Sequence, residues 1–257
     1  MKEIKITPLG TVSPYPKGIH NCPGFLIEYE EEKILLDCGN GSTSLLNFPN
    51  DLKNLHIFIT HYHKDHLGDL SALQYASFVY HNLGLLEEKI KIYLPEKDFQ
   101  YTKLAIMETK ESYSEYIEIN DNTRINIKNL IINIKDNKSH SISSFMIKLQ
   151  NKDFKIIYTS DIGPTHLNEL KKFCQNADLI ICESSFLKKH NASNKTHLTA
   201  HDAAMIAKYM NAKKLVLTHF WPEEDTKLYL DEALEFFENT IISAEGKPLI
   251  LRRKQNE

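Results

Sequence analysis

The chain has 257 residues, of which 42% are hydrophobic and 25% are charged, with a net charge of −3, so it is long enough to bury a sizeable core. The mildly acidic balance argues against broad, non-specific binding of nucleic acid, which relies on a basic surface. No apolar run approaches the length of a membrane span, and the first residues lack the apolar stretch of a signal peptide, so we expect a cytoplasmic protein without membrane contact.

Short strands dominate the predicted elements at the start of the chain. Charged and apolar residues alternate over residues 2–7, which indicates an edge or half-buried strand. Residues 25–29 and 33–37 predict a hairpin that ends in a glycine-rich turn. The apolar run at 55–60 is rich in β-branched and aromatic residues and predicts a buried strand. The four cysteines are scattered, so they indicate neither a disulfide framework nor a zinc knuckle.

Three histidines and one aspartate follow that buried strand, as His61, His63, Asp65 and His66. Imidazole nitrogen and carboxylate oxygen are the usual protein ligands of zinc and similar divalent metals. A strand that ends in a turn can direct His61 and His63 at one point, and the following turn can direct Asp65 and His66 at a second point nearby. Four ligands so close in sequence rarely all reach one tetrahedral ion, so the run favours two metals over one. A solvated surface turn is the other interpretation, and the position of the run directly after a buried strand disfavours it.

This H-x-H-x-D-H run resembles the signature of the metallo-β-lactamase-fold hydrolases. The resemblance implies an α/β (α+β) fold of four layers, an αββα sandwich, in a single domain over residues 1–257. It implies that Asp37, after the second strand of the hairpin, supports the metal site from a buried position. It also implies that a histidine, an aspartate and a final histidine follow downstream, each at the end of a strand.

The rest of the chain continues with short strands and then alternates helix with strand. Helices are predicted at 69–80, 98–109, 165–174, 199–210 and 226–237, and strands at 90–95, 116–119, 124–127, 130–135, 142–149, 154–159, 177–182, 214–218 and 248–251. The helix at 199–210 has the clearest pattern, because Thr199 and Asp202 can form a capping box before an apolar face. Periodicity alone predicts an α/β or α+β fold; the sandwich comes from the resemblance.

Three downstream residues match the remaining ligands that the resemblance implies. His140 directly precedes a predicted strand, while Asp161 and His219 each follow one. By the resemblance, one metal site comprises His61, His63, His140 and Asp161, and the other comprises Asp65, His66, Asp161 and His219. Two divalent metals, zinc with manganese or iron as alternatives, would then share Asp161 and bridge a hydroxide that attacks phosphorus or a carbonyl carbon.

Further segments are similar to the tRNA 3′-processing endonucleases (ribonuclease Z) and their phosphodiesterase-like relatives. They are Glu183-Ser184-Ser185-Phe186, Thr196-His197-Leu198-Thr199-Ala200 and Leu217-Thr218-His219-Phe220. The resemblance implies that His197 protonates the leaving oxygen or holds the phosphate, and its place just before a helix N-terminus favours an anion. Glu183 orients His197 or a metal ligand, or only supports a strand end. We count Asp65, His197 and Glu183 as the candidate catalytic residues.

One departure from ribonuclease Z concerns the substrate. Those enzymes carry a long tRNA-gripping arm between the ligands that match His140 and Asp161, whereas two strands and one turn fill that interval here. We therefore predict a phosphodiesterase for a small phosphodiester or an RNA 3′ end, and a homodimer only by analogy. A carbonyl hydrolase (lactonase, thioesterase or β-lactamase) and an iron-bound oxidoreductase on the same scaffold are the alternatives. A non-catalytic binding module is disfavoured, since all seven ligand positions are filled.

Overall fold

A computed structural model describes residues 2–96, 112–140, 142–163, 167–191 and 196–253 of the chain. The chain divides into two compact units, the first comprising Met1–Ile119 with Ala244–Glu257 and the second Asn120–Ser243. Each unit contains one seven-stranded mixed sheet together with helices, which confirms the predicted α/β class. That both units belong to a single domain stays a prediction.

The first unit is built on a sheet of seven strands. They are β1 (Lys2–Gly10), β2 (Gly24–Tyr29), β3 (Glu32–Leu36), β4 (Leu55–Phe58), β5 (Ile90–Pro95), β6 (Ser114–Ile119) and β14 (Leu249–Arg253). Its helices are α1 (Lys64–Leu67) and α2 (Leu70–Asn82), with 3-10 turns at Ser42–Leu45 and Asn50–Leu52. The strand order is β14-β1-β2-β3-β4-β5-β6, antiparallel from β14 to β3 and parallel from β3 to β6.

The second unit repeats this arrangement of strand directions. Its strands are β7 (Arg124–Ile127), β8 (Leu130–Asp136), β9 (Phe145–Gln150), β10 (Lys155–Tyr158), β11 (Leu179–Glu183), β12 (Leu215–Thr218) and β13 (Thr240–Ile242). Its helices are α3 (Leu167–Cys174), α4 (Ala200–Tyr209) and α5 (Thr226–Leu234), with a 3-10 turn at Lys188–His190. The strands lie in chain order, antiparallel from β7 to β10 and parallel from β10 to β13. None of the helices in the described parts of the chain is both long and apolar enough to cross a membrane.

Most of the candidate site residues lie at the carboxyl ends of parallel strands, whereas His140 precedes the antiparallel strand β9. Asp37 follows β3 and the histidine run follows β4 in the first unit. In the second unit Asp161 follows β10, Glu183 ends β11 and His219 follows β12. The carboxyl ends of neighbouring parallel strands meet at one edge of a sheet, where ligands bind in open α/β sheets. Each sheet therefore gathers its own set of polar residues at one edge.

The structure corrects some predicted elements and confirms others. Strand β1 lies between β2 and β14, so it is not an edge strand, although its predicted alternation holds, with Ile4 and Ile6 fully buried. The strand predicted at 142–149 begins only at Phe145, and β13 was not predicted because three residues are too short for a periodic signal. The capping box of Thr199 and Asp202 is confirmed. The helix predicted at 98–109 lies outside the described residues.

Helix α2 buries two polar residues that the apolar pattern did not indicate. Gln74 and Ser77 are fully buried, whereas Ala76 and Tyr80, which the helical spacing of apolar residues predicts on the inner face, stay partly exposed. The Gln74 amide donates a hydrogen bond of 2.9 Å to the Tyr116 hydroxyl on β6. Hydrogen bonds to neighbouring residues therefore let Gln74 and Ser77 share the buried face of α2 with apolar residues.

The four cysteines are buried free thiols, as the scattered spacing indicated. Burial raises the pKa of Cys22 and of Cys174 to about 12. Both thiols therefore stay protonated near neutral pH, and a protonated thiol is a poor nucleophile and a poor metal ligand.

A buried histidine joins three strands of the first sheet, away from the predicted ligands. His56 on β4 lies 3.0 Å from the Tyr93 hydroxyl through Nδ1 and 3.3 Å from the Glu32 carboxylate through Nε2. Burial lowers the pKa of His56 below its ordinary value of 6.5, the charge of Lys91 adds to this effect, and Glu32 opposes it. The folded state therefore favours the neutral imidazole.

We expect acid to weaken the fold through His56. Because its pKa is lower in the folded than in the unfolded state, its stabilisation is complete above the ordinary value and is lost as pH falls through the folded-state value. Urea unfolding between about pH 7.5 and about pH 5.5 should show a larger drop in the free energy of unfolding for the wild type than for His56→Gln. Equal drops in the two proteins would contradict this prediction.

Candidate metal centre

The four ligands predicted in the first unit lie together after β4. The ring centroid of His61 is 4.8 Å from that of His63 and 4.1 Å from that of His66, and His66 Nε2 is 3.7 Å from Asp65 Oδ2. His61 and His66 are fully buried. Asp65 and His66 lie inside the short helix α1, although a helix was predicted only after His66. The structure therefore brings this predicted set together on one loop and one helical turn.

Buried hydrogen bonds orient two of these imidazoles through Nδ1. The Asp37 carboxylate lies 2.7 Å from Nδ1 of His66, and it also accepts a hydrogen bond of 2.9 Å from the Thr60 hydroxyl. That hydroxyl oxygen lies 3.1 Å from Nδ1 of His61. An imidazole held through Nδ1 presents Nε2 to a metal. Holding the ring in this orientation is the usual role of a carboxylate that supports a metal ligand. Asp37 is fully buried, as the resemblance implied.

Two close contacts hold the ligand loop against the rest of the first unit. The Ser13 hydroxyl donates a hydrogen bond of 2.6 Å to Oδ2 of Asp65. A Cβ added at Gly39 would lie 2.0 Å from the carbonyl oxygen of Asp65, so only glycine lets the turn after β3 pack against α1. The glycine-rich turn at the end of the predicted hairpin is therefore part of the site's support.

The second unit gathers the other three predicted ligands and His197. Oδ1 of Asp161 lies 2.9 Å from Nε2 of His219, and Oδ2 lies 3.9 Å from Nε2 of His140. Ligand atoms of Asp161, His197 and His219 all lie within 4.8 Å of one another. The ring centroid of His197 is 5.5 Å from that of His140 and 5.5 Å from that of His219. His197 is therefore placed where it can act on a group bound at Asp161 and His219.

Glu183 is the common anchor of this cluster. Its carboxylate lies 2.9 Å from Nδ1 of His197 through Oε1 and accepts a hydrogen bond of 2.8 Å from the Ser185 hydroxyl at Oε2. The same hydroxyl oxygen lies 2.8 Å from Nδ1 of His219. Of the roles weighed for Glu183, the geometry matches orientation of both His197 and a predicted metal ligand.

The electrostatic surroundings of His197 favour its protonated form. Burial acts to lower the pKa of His197, but the charge and hydrogen bond of Glu183, together with the charge of Asp161, raise it above its ordinary value. A protonated imidazole beside predicted metal ligands can donate a proton to a leaving group.

The donor set fits a divalent metal ion. Within each unit the clustered side chains offer imidazole nitrogen and carboxylate oxygen, which suit zinc and related metals. Buried groups occupy Nδ1 of His61, His66 and His219, so the outer support that a metal-binding histidine needs is present.

The sequence does not indicate the role of several supporting residues. Asn137 donates a hydrogen bond of 2.7 Å to the carbonyl oxygen of Asp161, and Ser13, Thr60 and Ser185 act through single hydroxyl groups. Small polar residues are frequent in loops, so the sequence assigns no supporting role to these four, although Ser185 lies in a segment that is similar to ribonuclease Z. Only the folded arrangement identifies them.

Two mixed sheets with imidazole–carboxylate clusters at their strand ends define a metal-dependent hydrolase of the metallo-β-lactamase fold. The family model described as the Beta-lactamase superfamily domain matches residues 32–220, and the chain belongs to that superfamily.

Curated relatives and solved structures agree with this assignment. The chain is 26% identical to Ribonuclease Z of Clostridium acetobutylicum, over 96% of this chain and 98% of the relative. It is 26% identical to Probable metallo-hydrolase YhfI of Bacillus subtilis, over 84% of this chain and 86% of the relative. The crystal structure of YhfI matches with a TM-score of 0.87 at 25% identity, over 96% and 99% of the two chains. Human tRNase Z, short form, matches with a TM-score of 0.75 at 23% identity, over 95% and 98%.

Proposed function

We propose that the chain hydrolyses phosphodiester bonds with two divalent metal ions held by the seven predicted ligands. Those ligands are His61, His63, Asp65, His66, His140, Asp161 and His219. Zinc is the expected metal, with manganese and iron as alternatives, and Asp161 is the residue expected to contact both ions. Bound by these residues, such ions would lower the pKa of a water molecule and would act as Lewis acids towards a substrate oxygen.

The observation that carries this proposal is the pair of His197 and Glu183. The alcohol released from a phosphodiester is a poor leaving group, so its oxygen gains from a proton in the transition state. His197 has Nδ1 on Glu183, 2.9 Å away, and lies beside Asp161 and His219. In this proposal His197 gives its Nε2 proton to the leaving oxygen while Glu183 holds the ring and stabilises its charge.

A small phosphodiester fits the chain better than tRNA. Strands β9 and β10 are joined by a turn at Asn151, whose side chain accepts hydrogen bonds from the backbone of Asp153 and Phe154. The alignment with Ribonuclease Z runs over 306 positions, more than the 257 residues of this chain, so that relative carries insertions that this chain lacks. A cyclic nucleotide or a short oligonucleotide is therefore our first choice, and an RNA 3′ end the second. A homodimer stays a prediction by analogy.

Hydrolysis of bis(p-nitrophenyl) phosphate by zinc- or manganese-loaded protein tests the proposal. We expect turnover that falls by about 10²–10³-fold in His63→Ala, because a bound metal supplies several kcal/mol of transition-state stabilisation. His81→Ala is the matched control, since His81 lies on α2 in the same unit and bonds the carbonyl of Leu86.

Two results would count against the proposal. The first is no turnover of the phosphodiester by protein shown to hold two metal ions. The second is turnover of lactones or thioesters that far exceeds turnover of phosphodiesters, which would favour the carbonyl hydrolase.

A further inference from the structure

In the first unit one buried carboxylate orients two imidazoles, one through a direct hydrogen bond and the other through a hydroxyl group. Asp37 lies directly on Nδ1 of His66, at 2.7 Å. It reaches Nδ1 of His61 through the Thr60 hydroxyl, which is 2.9 Å from Asp37 and 3.1 Å from His61. Asp37 and Thr60 are fully buried, so water does not compete for these hydrogen bonds.

The second unit uses the same device with other residues. Glu183 lies directly on Nδ1 of His197, at 2.9 Å. It reaches Nδ1 of His219 through the Ser185 hydroxyl, at 2.8 Å on each side. Asp37 follows β3 whereas Glu183 is the last residue of β11, and the hydroxyls differ in type, so local sequence similarity does not account for the repetition.

Hydrogen-bond chemistry gives each hydroxyl a single role. A hydroxyl has one proton, and an ionised carboxylate can only accept, so Thr60 and Ser185 donate to their carboxylates. Each hydroxyl oxygen must then accept the Nδ1 proton of its histidine. That arrangement selects the tautomer of His61 and His219 whose Nε2 carries the lone pair, which is the form that binds a metal.

We propose that Thr60 and Ser185 are positioning residues. The Thr60 hydroxyl links Asp37 to His61 and the Ser185 hydroxyl links Glu183 to His219, and each link selects the tautomer of the histidine that binds a metal. The inference rests on the proposed metal site. Glu183 then serves two functions at once, because the same carboxylate holds the proton donor His197.

Glutamine at position 183 cannot replace this carboxylate. Oε1 accepts from Ile162 N–H at 2.8 Å and faces Nδ1 of His197, and Oε2 accepts from the Ser185 hydroxyl and from Leu198 N–H at 3.3 Å. Donors surround both oxygens, so the amide nitrogen of glutamine would face a donor in either orientation.

Zinc affinity, measured by competition with a chromophoric chelator, tests the relays without reference to turnover. Thr60→Val and Ser185→Ala should each weaken zinc binding by about 10–100-fold, the usual effect of losing an outer partner of a metal ligand. Thr60→Ser and Ser185→Thr keep the hydroxyl and should restore most of the affinity. Ser184→Ala is the matched control, because the Ser184 hydroxyl is also buried but donates to the carbonyl of Thr218.

A second readout separates the two functions of Glu183. With saturating zinc, Ser185→Ala should keep the wild-type ratio of rates for substrates with good and poor leaving groups. Glu183→Gln should bind zinc more weakly. It should also slow substrates with poor leaving groups more than substrates with good ones, because Glu183 holds the proton donor His197.

Three outcomes would overturn the inference. They are wild-type zinc affinity in Thr60→Val and Ser185→Ala, an equal loss in Ser184→Ala, and no recovery in the variants that keep the hydroxyl. Failure of the wild type itself to bind zinc would instead reject the proposed function on which the inference rests.

Discussion

Asp161→Asn is expected to lower hydrolysis of bis(p-nitrophenyl) phosphate by about 10³-fold, because a bound metal contributes several kcal/mol and each ~1.4 kcal/mol is a factor of ten in rate. Asp161 is 1% exposed and its two oxygens face different histidines, His219 at 2.9 Å and His140 at 3.9 Å. It is also the ligand that we propose for both metals. Asparagine has the same shape but no negative charge, so the cluster loses its carboxylate without gaining a cavity.

The fold should tolerate this substitution. The backbone carbonyl of Asp161 accepts hydrogen bonds from the side chains of Asn137 at 2.7 Å and Ser144 at 3.0 Å, and both remain in the variant. Metal content by atomic emission should fall together with the rate, while the circular dichroism spectrum stays that of the wild type.

A second aspartate in the same unit provides the control. Asp178 precedes β11 and bonds the backbone N–H of Lys155 and the ammonium of Lys213, away from the carboxyl strand ends. Asp178→Asn should keep both metals and the full rate. If Asp161→Asn kept two metals per chain and lost less than about tenfold in rate, Asp161 would not be the shared ligand.

The positions of the proposed ligands relative to the strands could be predicted from the sequence. Each follows or precedes a strand whose apolar run is visible in the sequence, and parallel strands bring their carboxyl ends to one edge. The position of Asp161 after β10 and of His219 after β12 could therefore be read from strand patterns together with the family resemblance.

The supporting groups could not be predicted in the same way. Thr60 lies next to His61 in the sequence, whereas Ser185 reaches His219 across 34 positions. What selects them is the register of the strands, since Glu183 on β11 pairs with Thr218 on β12 and so brings the residues beyond both strands together. Register depends on packing of the whole sheet rather than on local pattern.

Buried polar residues limited the prediction of the elements as well. A periodic reading of α2 places apolar residues inside, but Gln74 and Ser77 occupy that face because β6 and the segment before it supply hydrogen-bond partners. Propensity and periodicity depend on the hydrophobicity of local residues. They contain no information on hydrogen-bond partners that lie far away in the chain.

His197→Ala should lower kcat/KM far more for substrates with poor leaving groups than for substrates with good ones. For a dinucleotide or a cyclic nucleotide, whose alcohol needs a proton to depart, we expect a loss of about 10²–10⁴-fold in kcat/KM, the usual contribution of a general acid. For bis(p-nitrophenyl) phosphate, whose leaving group departs as a stable phenolate, we expect about tenfold or less. Rates for a series of aryl and alkyl phosphodiesters, measured at saturating zinc, give the dependence on leaving-group pKa directly.

The control for this experiment is another histidine close in sequence. His201 lies in the first turn of α4, with its ring centroid 4.3 Å from that of Phe236 and Nδ1 3.4 Å from Asp202. His201→Ala should leave both classes of substrate unaffected.

The shape of the result distinguishes three roles for His197. A steeper dependence on leaving-group pKa in His197→Ala identifies a proton donor, because only the poor leaving groups then lose their assistance. An equal loss on all substrates identifies a residue that binds phosphate, since every phosphodiester presents the same oxygens. A loss that follows the amount of bound zinc instead identifies a metal ligand, which the position of the His197 ring near Asp161 and His219 also permits. Because Glu183 holds Nδ1 of His197 in each case, only the substrate series and the zinc titration together separate these roles.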